Sequence, residues 1–461
     1  METQEGTAGT RTSDTPQMRR PLGPSERWLW IIDQISPMNA IVWVHLRGRM
    51  EHRQLVLAAE AVVAEHPLLR VHVATDPDGT NPRFVPTAEP RIPIRTVHVA
   101  AEDTQAADIE VDTVELHERI DWRTGPLARI VDIVRGAGTP DESHDLILTT
   151  AHLITDGMGM TSLLRRLLEH AAQSTGDGAS TKTTVRSRNP LPVPEDLLPR
   201  RLRSIARAKV VSRVDRAINT LSKPRSLEPE ATVPPRQRRT RFIRRILPAA
   251  DLDVLLARCR REGVTLHGAL TAATARGVGT EIDPAGVGRV SVISAISLRH
   301  ELVPRVDNQE LGSYASGVVS HVAADPATDF WTAARKFDRD LARRSRFGQH
   351  LSAFAALSFM APPSIESSGP LIDLIDHKTS RGIAISNFGR LNMPGRIGEW
   401  AVSGVQAAAG ISCLSCLRSV VTISGGDLYW NFTFIEGLMS AERAGRIADR
   451  AVAALIVSPD R

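Results

Sequence analysis

Residues 176–248 divide this chain into two halves. Ser, Thr, Pro and Arg dominate that stretch, a composition that suits a long connection and not a packed core. On either side, strand-like runs alternate with helix-like patterns. Before it, residues 40–46, 69–73 and 145–150 read as strands, and residues 54–63 as an amphipathic helix that Pro67 ends. Asp76-Pro77-Asp78-Gly79 is a turn. After it, residues 251–261 and 266–277 have helical spacing, 288–296, 383–387 and 428–435 read as strands, and 441–456 as a closing helix. Strands mixed with helices in both halves predict an α/β or α+β protein, and 461 residues suffice for two or three domain-sized units. The predicted organisation is a disordered lead over 1–20, a first lobe over 21–180, a crossover over 181–248 and a second lobe over 249–461.

Charge is distributed as unevenly as composition. The chain carries a net +5, yet residues 186–245 hold 17 Lys and Arg against 5 Asp and Glu, so the remainder is net negative. Within the crossover Leu198, Leu202, Ile205, Val210, Val214, Ile218 and Leu221 recur at helix-like spacing between arginines. Three uses suit such a segment: a solvated connection, a dock for an acidic carrier protein or for coenzyme A phosphates, or a peripheral contact with anionic lipid. Nucleic acid fits poorly, because no binding motif accompanies the charge and aromatics are sparse.

Other classes fall away on composition and motif. No apolar run nears the roughly 20 residues that a membrane-spanning helix needs, and the polar start lacks an apolar signal region. Cys259, Cys413 and Cys416 give an odd, low count without a zinc pattern, which suits a reducing, cytoplasmic setting. There is no Gly-x-Ser-x-Gly elbow, phosphate loop, His-Glu-x-x-His helix or Gly-x-Gly-x-x-Gly turn. An enzyme of this kind would use acid–base chemistry, with no metal.

The stretch that offers such chemistry is Ala151-His152-Leu153-Ile154-Thr155-Asp156-Gly157, between the strand at 145–150 and a helical run from residue 161. A histidine delivered to a strand end is suited to removing a proton from a hydroxyl or an amine. Asp156 follows four residues later, and Gly157 permits a tight or left-handed turn.

This stretch resembles the His-His-x-x-x-Asp-Gly signature of condensation-type acyltransferases, with Ala151 in place of the first histidine. Further segments resemble that family in its order: Glu65-His66-Pro67-Leu68-Leu69-Arg70, Gly125-Pro126-Leu127-Ala128-Arg129, Gly263-Val264-Thr265-Leu266-His267-Gly268, Ser297-Leu298-Arg299 with Leu311-Gly312, and Ser386-Asn387-Phe388-Gly389-Arg390. The last is similar to the polyketide-associated members. The resemblance spans residues 22 to 456.

It implies two chloramphenicol-acetyltransferase-like lobes forming a V, with an active-site channel between them. His152 would be the general base. An acyl thioester, on coenzyme A or an acyl or peptidyl carrier protein, would donate to a small-molecule or lipid alcohol or amine, with no covalently bound cofactor. Ester formation is the favoured outcome. Asp156 would pair with an arginine, Arg299 or Arg390, and support the histidine loop together with Gly157. Asn387 would place an amide near the thioester oxyanion. A stand-alone monomer in natural-product or lipid biosynthesis is expected. The rival readings are a non-catalytic recruitment module and a hydrolase or cyclase on the same fold.

Overall fold

A computed structural model describes residues 17–174, 186–204, 206–207, 209–211, 213, 220, 222–286, 288–379 and 382–456. The first half runs β1 (Arg20–Pro21), α1 (Pro24–Ile35), β2 (Asn39–Arg47), α2 (His52–Glu65), β3 (Val71–Ala74), β4 (Arg83–Pro86), β5 (Ile94–Val99), α3 (Ala106–Glu110), β6 (Ala128–Arg135), β7 (Ser143–Ala151) and α4 (Gly157–Gln173). The second runs β8 (Thr240–Leu247), α5 (Ala249–Glu262), α6 (Leu266–Ile282), β9 (Arg289–Ser297), β10 (Ala315–Ala323), α7 (Phe330–Arg346), α8 (Gln349–Met360), α9 (Gly369–Thr379), β11 (Ile383–Arg390), β12 (Arg396–Ile397), β13 (Trp400–Ala409), β14 (Leu417–Ser424), β15 (Asp427–Ile435) and α10 (Ala441–Ile456).

Among the described residues these strands build two six-stranded sheets, ordered β12-β13-β2-β7-β6-β5 and β10-β9-β11-β14-β15-β8, and a small sheet, β1-β4-β3. This is the two-lobed α/β architecture expected. Both sheets are covered, so their central strands are buried on both faces; all nine residues of β7 are buried, the polar ones included. Helix α4 buries Leu163, Leu164, Leu167 and Leu168 against the first core. In the second lobe Gly277 lets α6 press against α10, since a Cβ there would lie 2.6 Å from the Ile447 carbonyl.

Two details differ from the linear division. Residues 396–409 lie in the second half of the sequence but hydrogen-bond into the first sheet, with β13 antiparallel to β2. Met18 is buried in the first core and Arg20 pairs with Phe84, so structure begins ahead of residue 21.

The crossover is strapped to both lobes. Arg188 pairs with Glu310, Arg238 with Asp376, Arg241 with Asp112 and Glu436, Arg244 with Asp108 and Arg245 with Asp449. Five of its arginines are thus answered by acids elsewhere in the chain. Of the apolar series expected to form one helix, Leu198 and Leu202 are buried at short 3-10 turns (Pro194–Leu197 and Arg200–Leu202), whereas Val210 is exposed in a stretch whose described residues, 206–207 and 209–211 among them, are helical. Prolines at 194 and 199 keep the helix from starting before residue 203. Ile205, Val214, Ile218 and Leu221 lie outside the described residues.

Candidate active site

Strand β7 carries the chain to Ala151, and a 3-10 turn over His152–Ile154 follows at once. Thr155 then bridges to Gly312, which comes from the stretch before β10 in the second lobe. Asp156 begins α4 as its N-cap, accepting the Gly159 N–H at 2.9 Å. His152 is therefore fixed between a strand end, a cross-lobe bridge and a capped helix.

The imidazole is half-buried. Its Nδ1 lies 3.0 Å from the Thr155 carbonyl. A carbonyl only accepts, so Nδ1 carries the proton and Nε2 keeps its lone pair. Burial holds the His152 pKa below the ordinary histidine value, and the Arg418 charge lowers it further, against a smaller opposing pull from Asp156. The neutral, basic form is the one this environment favours.

The two arginine candidates for Asp156 separate cleanly. Arg299 Nε and Nη2 donate to the two Asp156 oxygens at 3.1 and 2.8 Å, and Tyr314 N–H donates to Oδ2 at 3.0 Å. Arg299 is 0 % exposed, packs over the Tyr314 ring and also donates to the Asp307 carbonyl. Arg390 sits exposed at the end of β11 and takes no part in this cluster.

Other expected contributors move. Asn387 Oδ1 accepts the N–H of Gly389 at a register shift in β11, so this side chain closes a local turn instead of facing a substrate. Its neighbours Ser386 and Phe388 line the cavity beside His152, because alternate residues of a strand face opposite ways. Gly157 does not adopt a left-handed conformation. It is glycine because a Cβ there would lie 2.1 Å from the Phe388 ring. Ala151 is 4 % exposed in the first core and is not part of the cavity wall, so the departure from the signature falls on a packing position.

The cavity holds about 330 Å³ where the sheets meet. Trp28 and Leu29 from α1, Ala407 to Ala409 from β13, Ile293 and Ala295 from β9, and Phe354 and Leu357 from α8 make a mainly apolar wall. The polar exceptions include His152, Ser313, Ser316, Ser386 and Arg418. Sequence reasoning missed Arg418. Its signal was faint: a single charged residue among the uncharged residues of β14. No Ser, Thr or Cys side chain among the described residues hydrogen-bonds to His152, so no assembled nucleophile–base pair is present. Nor, among the described residues, does any group of three His, Cys, Asp or Glu form a metal site. The three cysteines are buried and unbridged.

No family model matches the chain. It is similar to the trichothecene 15-O-acetyltransferase of Fusarium sporotrichioides, with a TM-score of 0.76 at 13% identity over 95% of this chain and 94% of that one. The first condensation domain of the calcium-dependent antibiotic synthetase, solved with a substrate analogue, gives 0.70 at 16% over 95% of both. Polyketide synthase associated protein 5 of Mycobacterium tuberculosis gives 0.65 at 16% over 96% and 98%. The chain has the condensation-domain fold. In sequence it is 26% identical over 159 residues to a linear gramicidin synthase of Brevibacillus parabrevis, a match that covers 32% of this chain and 2% of that protein. In this fold the His152 loop occupies the seam between the lobes. No helix among the described residues is long and apolar enough to cross a membrane.

Proposed function

We propose that the chain is an acyltransferase that moves an acyl group from a thioester to an alcohol or amine. The observation that carries this reading is His152: a neutral imidazole, held through Nδ1, bordering an apolar cavity between two lobes. Nε2 takes the proton of the acceptor hydroxyl or amine as its oxygen or nitrogen attacks the thioester carbonyl. The tetrahedral oxyanion receives a hydrogen bond from a wall hydroxyl, for which Ser386 is the candidate in place of Asn387. The C–S bond then breaks, and the imidazolium returns its proton to the departing thiolate. Each step balances without a covalent enzyme intermediate, in keeping with the absence of a nucleophile bonded to His152 among the described residues.

Coenzyme A or a carrier protein would bring the thioester. The similar structures include a synthetase domain and a polyketide-associated protein, which supports a carrier-protein partner and a natural-product setting. An O-acetyltransferase among them supports ester formation. Buried, unbridged thiols fit a cytoplasmic location.

The test is product mass. Purified protein is incubated with acyl-coenzyme A and acyl-N-acetylcysteamine, each with and without a set of alcohols and amines. Acceptor-dependent ester or amide is the expected product. Free acid regardless of acceptor would favour a hydrolase, and unchanged thioester under every condition would favour a recruitment module.

A further inference from the structure

Arg418 is half-buried, and it is unlike the fully buried arginines of the fold. Arg299 is paired with Asp156, Arg344 with Asp340 and Arg135 with Asp145. Arg418 has no ion pair or hydrogen bond with any described residue, and its Nε is buried without a partner. It stands on β14, whose alternation turns Leu417 and Val421 into the second core and Arg418 and Val420 to the cavity. A cation partly withdrawn from water without a counter-ion is costly, and such groups concentrate at functional sites. Burial lowers the Arg418 pKa only to about 10, so the guanidinium is charged at neutral pH. The rest of the wall is mostly apolar, with the Trp28, Phe354 and Phe388 rings facing the same space.

We infer that this cavity takes a substrate with an apolar body and a carboxylate, and that Arg418 is the group that binds the carboxylate. This rests on the reading that the cavity beside His152 receives the substrate of acyl transfer, and it names that substrate's class. A planar guanidinium offers two parallel N–H donors to the two oxygens of a carboxylate. A phosphate group would call for several cationic or backbone donors, and the cavity wall presents one arginine. The pairing also reaches the base. Arg418 lowers the proton affinity of His152, so a carboxylate that neutralises Arg418 raises it again. The right substrate would thus strengthen the base that acts on it.

The experiment uses octanoate and octanamide, which match in length and differ in charge, titrated calorimetrically into the full chain. Wild type is expected to bind octanoate at least tenfold more tightly than octanamide. Arg418→Met should abolish that preference while octanamide affinity stays within twofold, which also shows that the variant is folded. Arg418→Lys, which keeps the charge without the fork, should retain a reduced preference and serves if the Met variant fails to fold. His152→Ala should keep the preference. Equal binding of both probes to wild type would overturn the inference, as would an octanoate preference that survives Arg418→Met. If the preference depends on Arg418 but no thioester donor yields product, the carboxylate site stands and the acyltransferase reading falls.

Discussion

Asp156 does more for this site than its distance from any reacting atom suggests. One carboxylate caps α4, receives the Tyr314 N–H and meets a fully buried guanidinium through two bonds. It is a positioning residue, and it ties the His152 loop to the second lobe. Removing one partner of a buried ion pair costs about 3–5 kcal/mol, because the other charge is left without compensation. Asp156→Ala should therefore lose stability on that scale in chemical denaturation, and transfer activity with it. A loss below about 1 kcal/mol, the range of an exposed pair, would remove the structural role assigned to this one. His152 carries the second prediction at this scale. Burial and Arg418 both disfavour the imidazolium, so the base form persists below the ordinary histidine pKa of about 6.5. In a profile of kcat/KM, which reports the free enzyme, the acid limb should have its midpoint below that value. Arg418→Met removes a neighbouring positive charge, so it should move the limb to higher pH. A wild-type midpoint above the ordinary histidine value, or a shift the other way, contradicts this electrostatic account.

At the scale of elements, α4 meets β11 through a contact that neither sequence segment announces. Gly157 starts the helix and the Phe388 ring occupies the space its Cβ would take. Gly157→Ala should therefore misplace Phe388 and lower both stability and transfer. Adding Phe388→Ala should recover part of the stability, so the double-mutant cycle should show coupling of about 0.5–3 kcal/mol. Strictly additive effects would sink the contact. The same pair shows where sequence legibility ends. The strands at 40–46 and 145–150 and the helices at 54–63 and 266–277 were readable because their apolar periodicity is decided locally. The Ser386-Asn387-Phe388 stretch was readable as a strand end, but which of its side chains faces the cavity depends on a register shift at Asn387. Asn387 looked like the polar contributor by residue type. The bulge turned it onto its own backbone, and Ser386 is the neighbour that lines the cavity. Similarly, the His66-Pro67-Leu68-Leu69-Arg70 element is architectural: Arg70 donates to the Val63 and Ala64 carbonyls and closes the end of α2.

At the scale of the molecule, two lobes were visible from the composition break, whereas their interlocking was not. Residues 396–409 leave the second sheet after β11, complete the edge of the first, and return to form β14. That exchange is long-range pairing, which no local pattern encodes. It matters for the site, since Ala407 to Ala409 line the cavity from the first sheet while Arg418 and Val420 line it from the second. The basic crossover changed meaning in the same way. Five of its arginines stand in ion pairs with acids of both lobes, so part of its charge holds the chain together. What the whole assembly achieves is a neutral histidine beside an apolar cavity, and the central claim is that this histidine is the base of acyl transfer. The direct measurement is the single-turnover rate of ester or amide formation by wild type and by His152→Ala, with equal folding verified by circular dichroism. Loss of a positioned general base predicts a fall of about 10²–10⁴-fold in the variant. A correctly folded His152→Ala that transfers the acyl group at the wild-type rate would contradict the account.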